Sequence, residues 1–366
     1  MSTQRHMKTT GLAALVCASA VVASPLPSPE RIVNPEPIIL AGEPLEVTTD
    51  RSAGRIDVLT PDSPFAGAVS LFVGGKHLAT GTVISPRHIL TAAHCFDEIG
   101  QGVNTVGTDV AIFLNVDGEL SHVVPPAGVE RVDLHPDFTG FQNPVVNDDL
   151  AIITLASPLP VDVPIYRIYD GPIETGLVVW MVGYGETGDG FTGYERGTGS
   201  FTVRRIGANV ADAFYSDRHG RGEPHVWQFD FDGPEGDGFL GGPTLGPGVE
   251  ATLGGGDSGG PGFVFVSGEP MLFSVNNYVS GPGEPGRFGS GGGGLIVPAQ
   301  RWWIERVMGL RRIGDITGDG RVGAADMSAL LSMWGDTDAR GDLNGDGVVD
   351  SRDLAVLLQN WSGQGR

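Results

Sequence analysis

The sequence of 366 residues contains only two cysteines, Cys17 and Cys95, and has 23 Lys and Arg residues against 44 Asp and Glu residues. Two cysteines allow at most one disulfide, which excludes a small scaffold held together by several disulfides. The formal net charge of −21 repels nucleic acid, and the sequence has no stripe of basic residues that would bind it. We therefore expect no nucleic-acid partner.

Long hydrophobic runs are also scarce. The N-terminal run, residues 11–22, follows Arg5 and Lys8 and is shorter than the roughly 20 residues that a membrane-spanning helix needs. A basic start followed by a short apolar run is typical of a secretory signal. We expect residues 1–23 to be a signal peptide, the protein to be secreted, and no transmembrane segment. Cys95 would then remain alone, as a small buried side chain.

Glycine and proline are abundant, at 58 and 26 residues, and they disfavour long helices. Between about residues 56 and 297, short apolar runs such as 68–73 and 150–155 alternate with turn residues, which predicts an all-β barrel or sandwich. A helix is predicted at 298–310. Residues 24–55, rich in Pro and Glu, are interpreted as a propeptide or unstructured lead-in.

One glycine-rich segment has the composition of a nucleophile loop. Residues 255–261 are Gly-Gly-Asp-Ser-Gly-Gly-Pro, with Ser258 at the centre. A serine hydroxyl needs an adjacent base, and the oxyanion formed by its attack needs hydrogen-bond donors already aimed at it. Glycine lets the backbone turn so that two N–H groups face one point. Those donors would be the N–H groups of Gly256 and Ser258.

Two further segments supply a base and an acid. His94 lies in the sequence Thr-Ala-Ala-His-Cys, which sets it apart from the other seven histidines. Asp149 directly precedes the apolar run 150–155, where a buried carboxylate can accept a hydrogen bond from an imidazole N–H. Asp148 competes for this role. We favour Asp149 because it is adjacent to the apolar run.

Together these three motifs resemble the chymotrypsin/trypsin-like serine peptidase family, and they occur in that family's order of His, Asp and Ser. The resemblance covers residues 56–310 and implies two six-stranded antiparallel β-barrels, a C-terminal helix and an active site between the barrels. It implies that Ser258 is the nucleophile, His94 the general base and Asp149 the residue that orients the imidazole. The implied substrate is a protein or peptide.

The same resemblance implies a substrate pocket and an activation site. The implied pocket residues are Thr252, Asn277, Tyr278, Val279 and Gly294. Because Thr252 is not an acid and Val279 narrows the entrance, we expect cleavage after small or medium apolar residues and not after Lys or Arg. Activation would follow cleavage between Arg55 and Ile56, with the new Ile56 amine pairing with Asp257.

The C-terminal part contains an internal duplication. Residues 314–335 align with 341–362, and ten of the 22 positions are identical, which indicates a separate small domain at 311–366. Each repeat has oxygen-bearing side chains at loop positions 1, 3, 5 and 12 and glycine at 6, as in EF-hand loops, and so predicts one Ca²⁺. The predicted ligands are Asp315, Thr317, Asp319, Arg321 (carbonyl) and Asp326, and then Asp342, Asn344, Asp346, Val348 (carbonyl), Asp350 and Asp353.

A loop followed by one helix, twice, resembles the dockerin module over residues 313–363. That resemblance implies a small α-helical domain that binds a cohesin-type partner; a purely structural calcium module remains an open alternative. The whole sequence is thus interpreted as a secreted serine endopeptidase that acts through an acyl-enzyme and is attached to a partner by a calcium-dependent domain. Two other interpretations stay open: a catalytically inactive binding protein with this fold, and an esterase.

Overall fold

The computed structural model describes residues 57, 63–97, 109–115, 122–140, 148–160, 163–216, 223–234, 238–246 and 249–362. The expected signal peptide, the lead-in and the Arg55–Ile56 bond lie outside the described residues. None of the helices in the described part of the chain has the length and apolar character needed to cross a membrane.

The first half of the chain forms one antiparallel sheet. Its strands are β1 (Ala68–Val73), β2 (His77–Ser85), β3 (His88–Thr91), β4 (Val110–Leu114), β5 (His122–Val124), β6 (Val129–Leu134) and β7 (Ala151–Leu155). Their order is β5-β4-β1-β2-β3-β7-β6. The two edge strands β5 and β6 are neighbours in sequence, separated only by a bend that includes a 3-10 turn at Pro126–Gly128. One bent segment therefore pairs with both ends of the sheet, which curls back on itself.

The second half repeats this arrangement. Its strands are β8 (Val178–Gly183), β11 (Arg205–Val210), β12 (Ala213–Ser216), β13 (Pro224–Asp230), β14 (Pro261–Val266), β15 (Glu269–Ser280) and β16 (Gly291–Ile296), with a separate hairpin of β9 (Thr187–Asp189) and β10 (Gly193–Glu195). The order is β11-β8-β14-β15-β16-β13-β12. The edge strands β11 and β12 are again consecutive. Between them, the Ala211 N–H donates to Leu177 O and the Asp212 N–H to Gln228 O, so the chain changes edges within one residue.

The prediction of a mostly β fold is confirmed, with one refinement. Each sheet has seven strands instead of six because one strand is broken by a short bend, at 125–128 in the first sheet and at 211–212 in the second. If each bent segment is counted once, six strands remain, as predicted. The predicted helix is shorter than expected: a 3-10 turn at Val297–Gln300 leads into α1 (Arg301–Val307).

Three apolar clusters hold these sheets. One is inside the first sheet and includes Leu71 and Ile153, and another is inside the second and includes Met181 and Phe273. The third contains residues of both sheets, among them Leu90, Ile152, Val182 and Phe263, together with Trp303 of α1. Since each fully buried large apolar side chain contributes roughly 1.5–3 kcal/mol, this shared cluster fixes the two sheets against each other and holds the loops between them in place.

The C-terminal repeats form two helices, α2 (Ala324–Ser332) and α3 (Ser351–Gln359), each preceded by a loop. Their fully buried core consists of Val322 and Leu330 from the first repeat and Val349 and Leu357 from the second. Each repeat thus contributes the same two positions, which explains why these apolar residues are duplicated in the sequence.

Candidate active site

Strand pairing brings the predicted base and acid together. Strands β3 and β7 are antiparallel, with Thr91 opposite Ala151. The residues that follow β3 therefore lie next to the residues that precede β7, and His94 meets Asp149. Their side chains are hydrogen-bonded, with His94 Nδ1 2.6 Å from Asp149 Oδ2.

The serine comes from the second sheet, in the loop before β14. Its Oγ lies 2.8 Å from His94 Nε2. A threonine of the first sheet holds this loop: the Thr80 N–H donates to Ser258 O at 2.8 Å, and Thr80 Oγ1 donates to Gly256 O at 2.8 Å. Asp149, His94 and Ser258 therefore form one continuous hydrogen-bonded line across the boundary between the sheets.

Asp149 is fully buried and accepts several hydrogen bonds. The His94 N–H donates to Oδ1 at 2.8 Å, and the side-chain amide of Asn277 donates to Oδ2 at 2.9 Å. A buried carboxylate is tolerated when such donors compensate for lost water. With Nδ1–H of His94 directed at Asp149, the Nε2 lone pair is directed at the Ser258 hydroxyl.

The carboxylate also controls the charge of the imidazole. Burial acts to lower the pKa of His94, but the neighbouring Asp149 carboxylate outweighs it and raises this pKa well above the ordinary value of 6.5. His94 is therefore a stronger base than an exposed histidine, and it is stabilised once it has taken a proton.

Asp148, the competing candidate, points elsewhere. Its backbone has a positive φ of 60°, and its Oδ1 accepts a hydrogen bond from Gln300 Nε2 at 2.8 Å. The geometry thus favours Asp149 as the partner of His94.

The backbone beside Ser258 offers two donors. Neither the Gly256 N–H nor the Ser258 N–H donates a hydrogen bond to any residue that the structure describes. Gly256 has a φ of +102°, and a Cβ there would lie 2.9 Å from Leu78 Cδ2. Only glycine fits this turn, which leaves both N–H groups beside the serine hydroxyl.

The site opens on a cleft of 760 Å³. Its lining includes His94 and Ser258 together with Leu78, Glu186 and Phe201. A cleft of this size accommodates a segment of an extended chain or a small ligand. Cys95 also lines the cleft; it is a free thiol and is only partly buried, whereas a small buried side chain was expected.

The structure buries the residues of the predicted substrate pocket. All five of its residues, Thr252, Asn277, Tyr278, Val279 and Gly294, are buried. Asn277 is turned toward Asp149, and the Tyr278 hydroxyl donates to Trp227 O at 3.1 Å. A register shift between Asn276 and Tyr278 interrupts the pairing of β15 with β16 at Asn277. Val279 packs in the apolar cluster of the second sheet, while Thr252 Oγ1 is buried with no hydrogen-bond partner in the described chain.

The sequence did not identify Asn277 as a partner of the acid. One signal was present: Asn276 and Asn277 interrupt an otherwise mostly apolar strand, and a buried polar pair of this kind needs a reason. For Thr80, a threonine among other strand residues, no distinguishing signal exists in the sequence.

The first C-terminal loop has the geometry of a cation site. Carboxylate oxygens of Asp315, Asp319 and Asp326 lie within 4.8 Å of one another. Asp315 accepts the N–H groups of Gly318 and Gly320. Burial raises the pKa of Asp326, but hydrogen bonds, including those from the backbone N–H groups of Thr317 and Gly323, outweigh it and hold this pKa below its ordinary value. The donor set of hard oxygens fits Ca²⁺.

The second loop repeats the pattern with one difference. Asp342 accepts the N–H groups of Gly345 and Gly347, and Asp353 accepts those of Asn344 and Asp350. Two predicted ligands, however, are engaged elsewhere: Asp346 pairs with the Arg352 guanidinium, and Asp350 caps α3 by accepting the Arg352 N–H at 2.7 Å. The exposed residues Arg321 and Val348 hold equivalent seventh positions in the two loops.

Comparison with known proteins finds a match to one family over part of the chain. Residues 59–211 match the family model described as Trypsin. A curated relative, the Suppressor of tumorigenicity 14 protein homolog of Bos taurus, is 30% identical over 128 residues, which cover 32% of this chain and 14% of that protein. The family match includes His94 and Asp149 and ends before Ser258 and the C-terminal repeats. Roles for Ser258 and for the repeats therefore depend on their geometry in the structure and not on this match.

Proposed function

We propose that this chain, whose residues 59–211 match the Trypsin family model, is a serine endopeptidase that cleaves peptide bonds through an acyl-enzyme. The observation that carries the proposal is the line from Asp149 to His94 to Ser258, with contacts of 2.6 and 2.8 Å. A nucleophile, its base and an orienting acid in this order are what acyl transfer requires.

The geometry suits two half-reactions. Ser258 Oγ bonds to the substrate carbonyl carbon while His94 Nε2 takes the hydroxyl proton, and the N–H groups of Gly256 and Ser258 stabilise the oxyanion. His94 then gives its proton to the leaving nitrogen as the C–N bond breaks. In the second half, water gives a proton to His94 and adds to the acyl carbon; the proton returns to Ser258 as the acid leaves. Asp149 keeps its hydrogen bond with the imidazole and stabilises the imidazolium.

Labelling with a fluorophosphonate probe tests this proposal. The wild type should be labelled and Ser258→Ala should not. Ser267→Ala, which removes an exposed serine in the turn after β14, should be labelled like the wild type. Wild-type protein that is folded but not labelled would favour the inactive binding protein. Labelled protein that hydrolyses a simple ester but no unfolded polypeptide would favour the esterase.

Maturation is proposed to expose Ile56, which lies outside the described residues. Its neighbour Asp57 is held by Arg204: the Asp57 N–H donates to Arg204 O at 3.0 Å, and Arg204 Nε donates to Asp57 Oδ2 at 2.7 Å. The buried Asp257 carboxylate accepts the Gly185 N–H at 2.8 Å. N-terminal sequencing of active, exported protein should find Ile56; a start at Val21 or Ser24 would contradict both the cleavage site and the proposed pairing.

For the C-terminal domain, the proposal is two bound Ca²⁺ ions and a cohesin-type partner. The duplicated loops support the ions, as does the grouping of Asp315, Asp319 and Asp326 in the first loop. Calorimetry with Ca²⁺ should find two sites in the whole chain, Asp315→Asn and Asp342→Asn should each remove one, and Asp336→Asn, between the loops, should remove none. Calcium-dependent capture by a cohesin domain would support the partner. Two ions without capture would leave a purely structural calcium module.

A further inference from the structure

Beside Asp149 in the chain, Asp148 belongs to a further group of side chains of the types that bind metals. His135, Asp137 and Asp148 are each more than nine-tenths buried, with exposures of 2, 8 and 5%. One ligand atom of each lies within 4.8 Å of the others. His135 follows β6 and Asp148 precedes β7, so the pairing of these two strands brings the group together.

Packing fixes the group in place. The His135 N–H donates to Leu150 O at 2.9 Å, and its ring lies against Trp302 and Trp303, with ring centroids 5.5 and 4.9 Å away. Gln300 holds one oxygen of Asp148 at 2.8 Å. Ligands whose positions are set by their surroundings bind an ion with little loss of conformational entropy.

The separation of the ligand atoms suits a small ion. His135 Nδ1 is 3.8 Å from Asp148 Oδ1. Two ligand atoms about 2.0–2.2 Å from a tetrahedral Zn²⁺ lie about 3.4 Å apart. A shift of a few tenths of an ångström therefore brings this pair to bonding geometry. Nδ1 accepts the Asp137 N–H at 3.2 Å, which marks it as the unprotonated ring nitrogen, and an ion bound there would replace this hydrogen bond.

The ligand types decide which ion fits. Imidazole nitrogen suits zinc and its neighbours among the transition metals, whereas Ca²⁺ takes oxygen ligands only. A doubly charged ion would also neutralise two carboxylates in a buried setting. We propose that His135, Asp137 and Asp148 form a site for a divalent transition metal of the zinc class, distinct from the two calcium loops.

Calorimetric titration with Zn²⁺ tests the site. The whole chain is first stripped with a chelator and then kept in excess Ca²⁺, which occupies sites made of oxygen alone. The wild type should bind one Zn²⁺. His135→Gln and Asp137→Asn should each bind it at least about tenfold more weakly. Exposed His122 lies in the same sheet, and His122→Gln should bind Zn²⁺ like the wild type.

Two further measurements keep the outcome clear. His94→Gln should retain the site, and loss of binding in this variant alone would assign the ion to the catalytic imidazole and overturn the proposal. Thermal unfolding checks that His135→Gln is folded. If it is not, Asp137→Asn, which keeps the volume of the side chain, replaces it in the test. Equal Zn²⁺ affinity in wild type and Asp137→Asn, or no binding by folded wild type, would also overturn the proposal.

Discussion

Asp149 affects the pH range over which His94 can act as a base. Because its carboxylate raises the pKa of His94 above 6.5, the neutral imidazole that acts as base exists only above that raised value. We expect kcat/KM to rise with pH through a midpoint higher than 6.5 and to be lost below it. A pH profile of peptide hydrolysis checks this, and a midpoint below 6.5 would contradict the effect assigned to Asp149.

Removing the charge of Asp149 should affect both rate and pH dependence. In Asp149→Asn the carboxylate that raises the pKa of His94 is gone, so the acid limb should move to lower pH. The one acceptor oxygen of asparagine is taken by the His94 backbone N–H, so its NH2 group faces Nδ1. The ring proton then sits on Nε2, the imidazole no longer directs a lone pair at Ser258, and kcat should fall by about 10⁴-fold. Asp148→Asn is the control: it should keep most of the activity, since Asp148 points away from His94.

Asn277 is a positioning residue in this arrangement. Asn277→Leu keeps the approximate volume but removes the donor to Asp149, and loss of a hydrogen bond to a charged group costs roughly 1.5–3 kcal/mol. Asn276→Leu is the matched control, because the side-chain atoms of Asn276 are buried without a partner in the described chain. We expect a lower urea midpoint and a lower kcat for Asn277→Leu alone; equal losses in the two variants would contradict the assigned role.

Site residues could be predicted from the sequence where they lie in distinctive local motifs. His94, Asp149 and Ser258 lie in short distinctive segments, and the structure places them together. The pocket residues were assigned by counting along the chain from Ser258, and counting cannot detect the register shift at Asn276 and Tyr278. That shift depends on how β15 pairs with β16, which is set by the fold and not by the local sequence.

At the scale of elements, strand β16 has an unusual constraint. It contains four consecutive glycines, and Cβ atoms at Gly293 and Gly294 would lie 2.1 Å from Trp227 O and 1.8 Å from Val275 O. The neighbouring strands therefore approach more closely than any side chain permits. A glycine run that composition alone would assign to a loop is in fact a central strand.

This close approach gives a testable difference between glycines. Gly294→Ala should force the strands apart and destabilise the protein by at least about 1–3 kcal/mol, the usual cost of overpacking. Gly323→Ala is the control, since a Cβ there meets nothing within 4 Å. Denaturant unfolding of both variants compares them, and an unchanged midpoint for Gly294→Ala would show that the strands can separate without cost.

The element boundaries show what sequence patterns can and cannot supply. Apolar runs predicted the central strands well; the run 68–73 coincides with β1. The short edge strands β5 and β12 are not marked by apolar runs, because their burial depends on the bend that places each at a sheet edge. A run of three or four half-exposed residues does not show this bend in advance.

At the scale of the whole molecule, stability depends on pH through one acid of the second sheet, Asp212. Burial, with a contribution from Asp230, raises the pKa of Asp212 to about 8. The folded state then keeps a proton that the unfolded chain loses near pH 4. Stability contributed at this position is therefore present below pH 4 and lost as pH rises from about 4 to about 8.

Asp212→Asn should remove that dependence. We expect its urea midpoint to match the wild type near pH 4 and to exceed it increasingly up to about pH 8. Asp170→Asn, at an exposed acid, should show no such trend. Parallel behaviour of Asp212→Asn and the wild type across this range would contradict the raised pKa.

The bent segments 122–134 and 205–216 have a consequence for folding. Each joins the two edge strands of its curled sheet through a link of only a few residues. Bringing these edges together therefore costs almost no additional loop-closure entropy. The two edges of each sheet are thus formed by strands that are neighbours in the sequence. Ring closure should accordingly follow immediately once the last strand has paired, and an open, curled sheet should not accumulate as a kinetic intermediate during refolding.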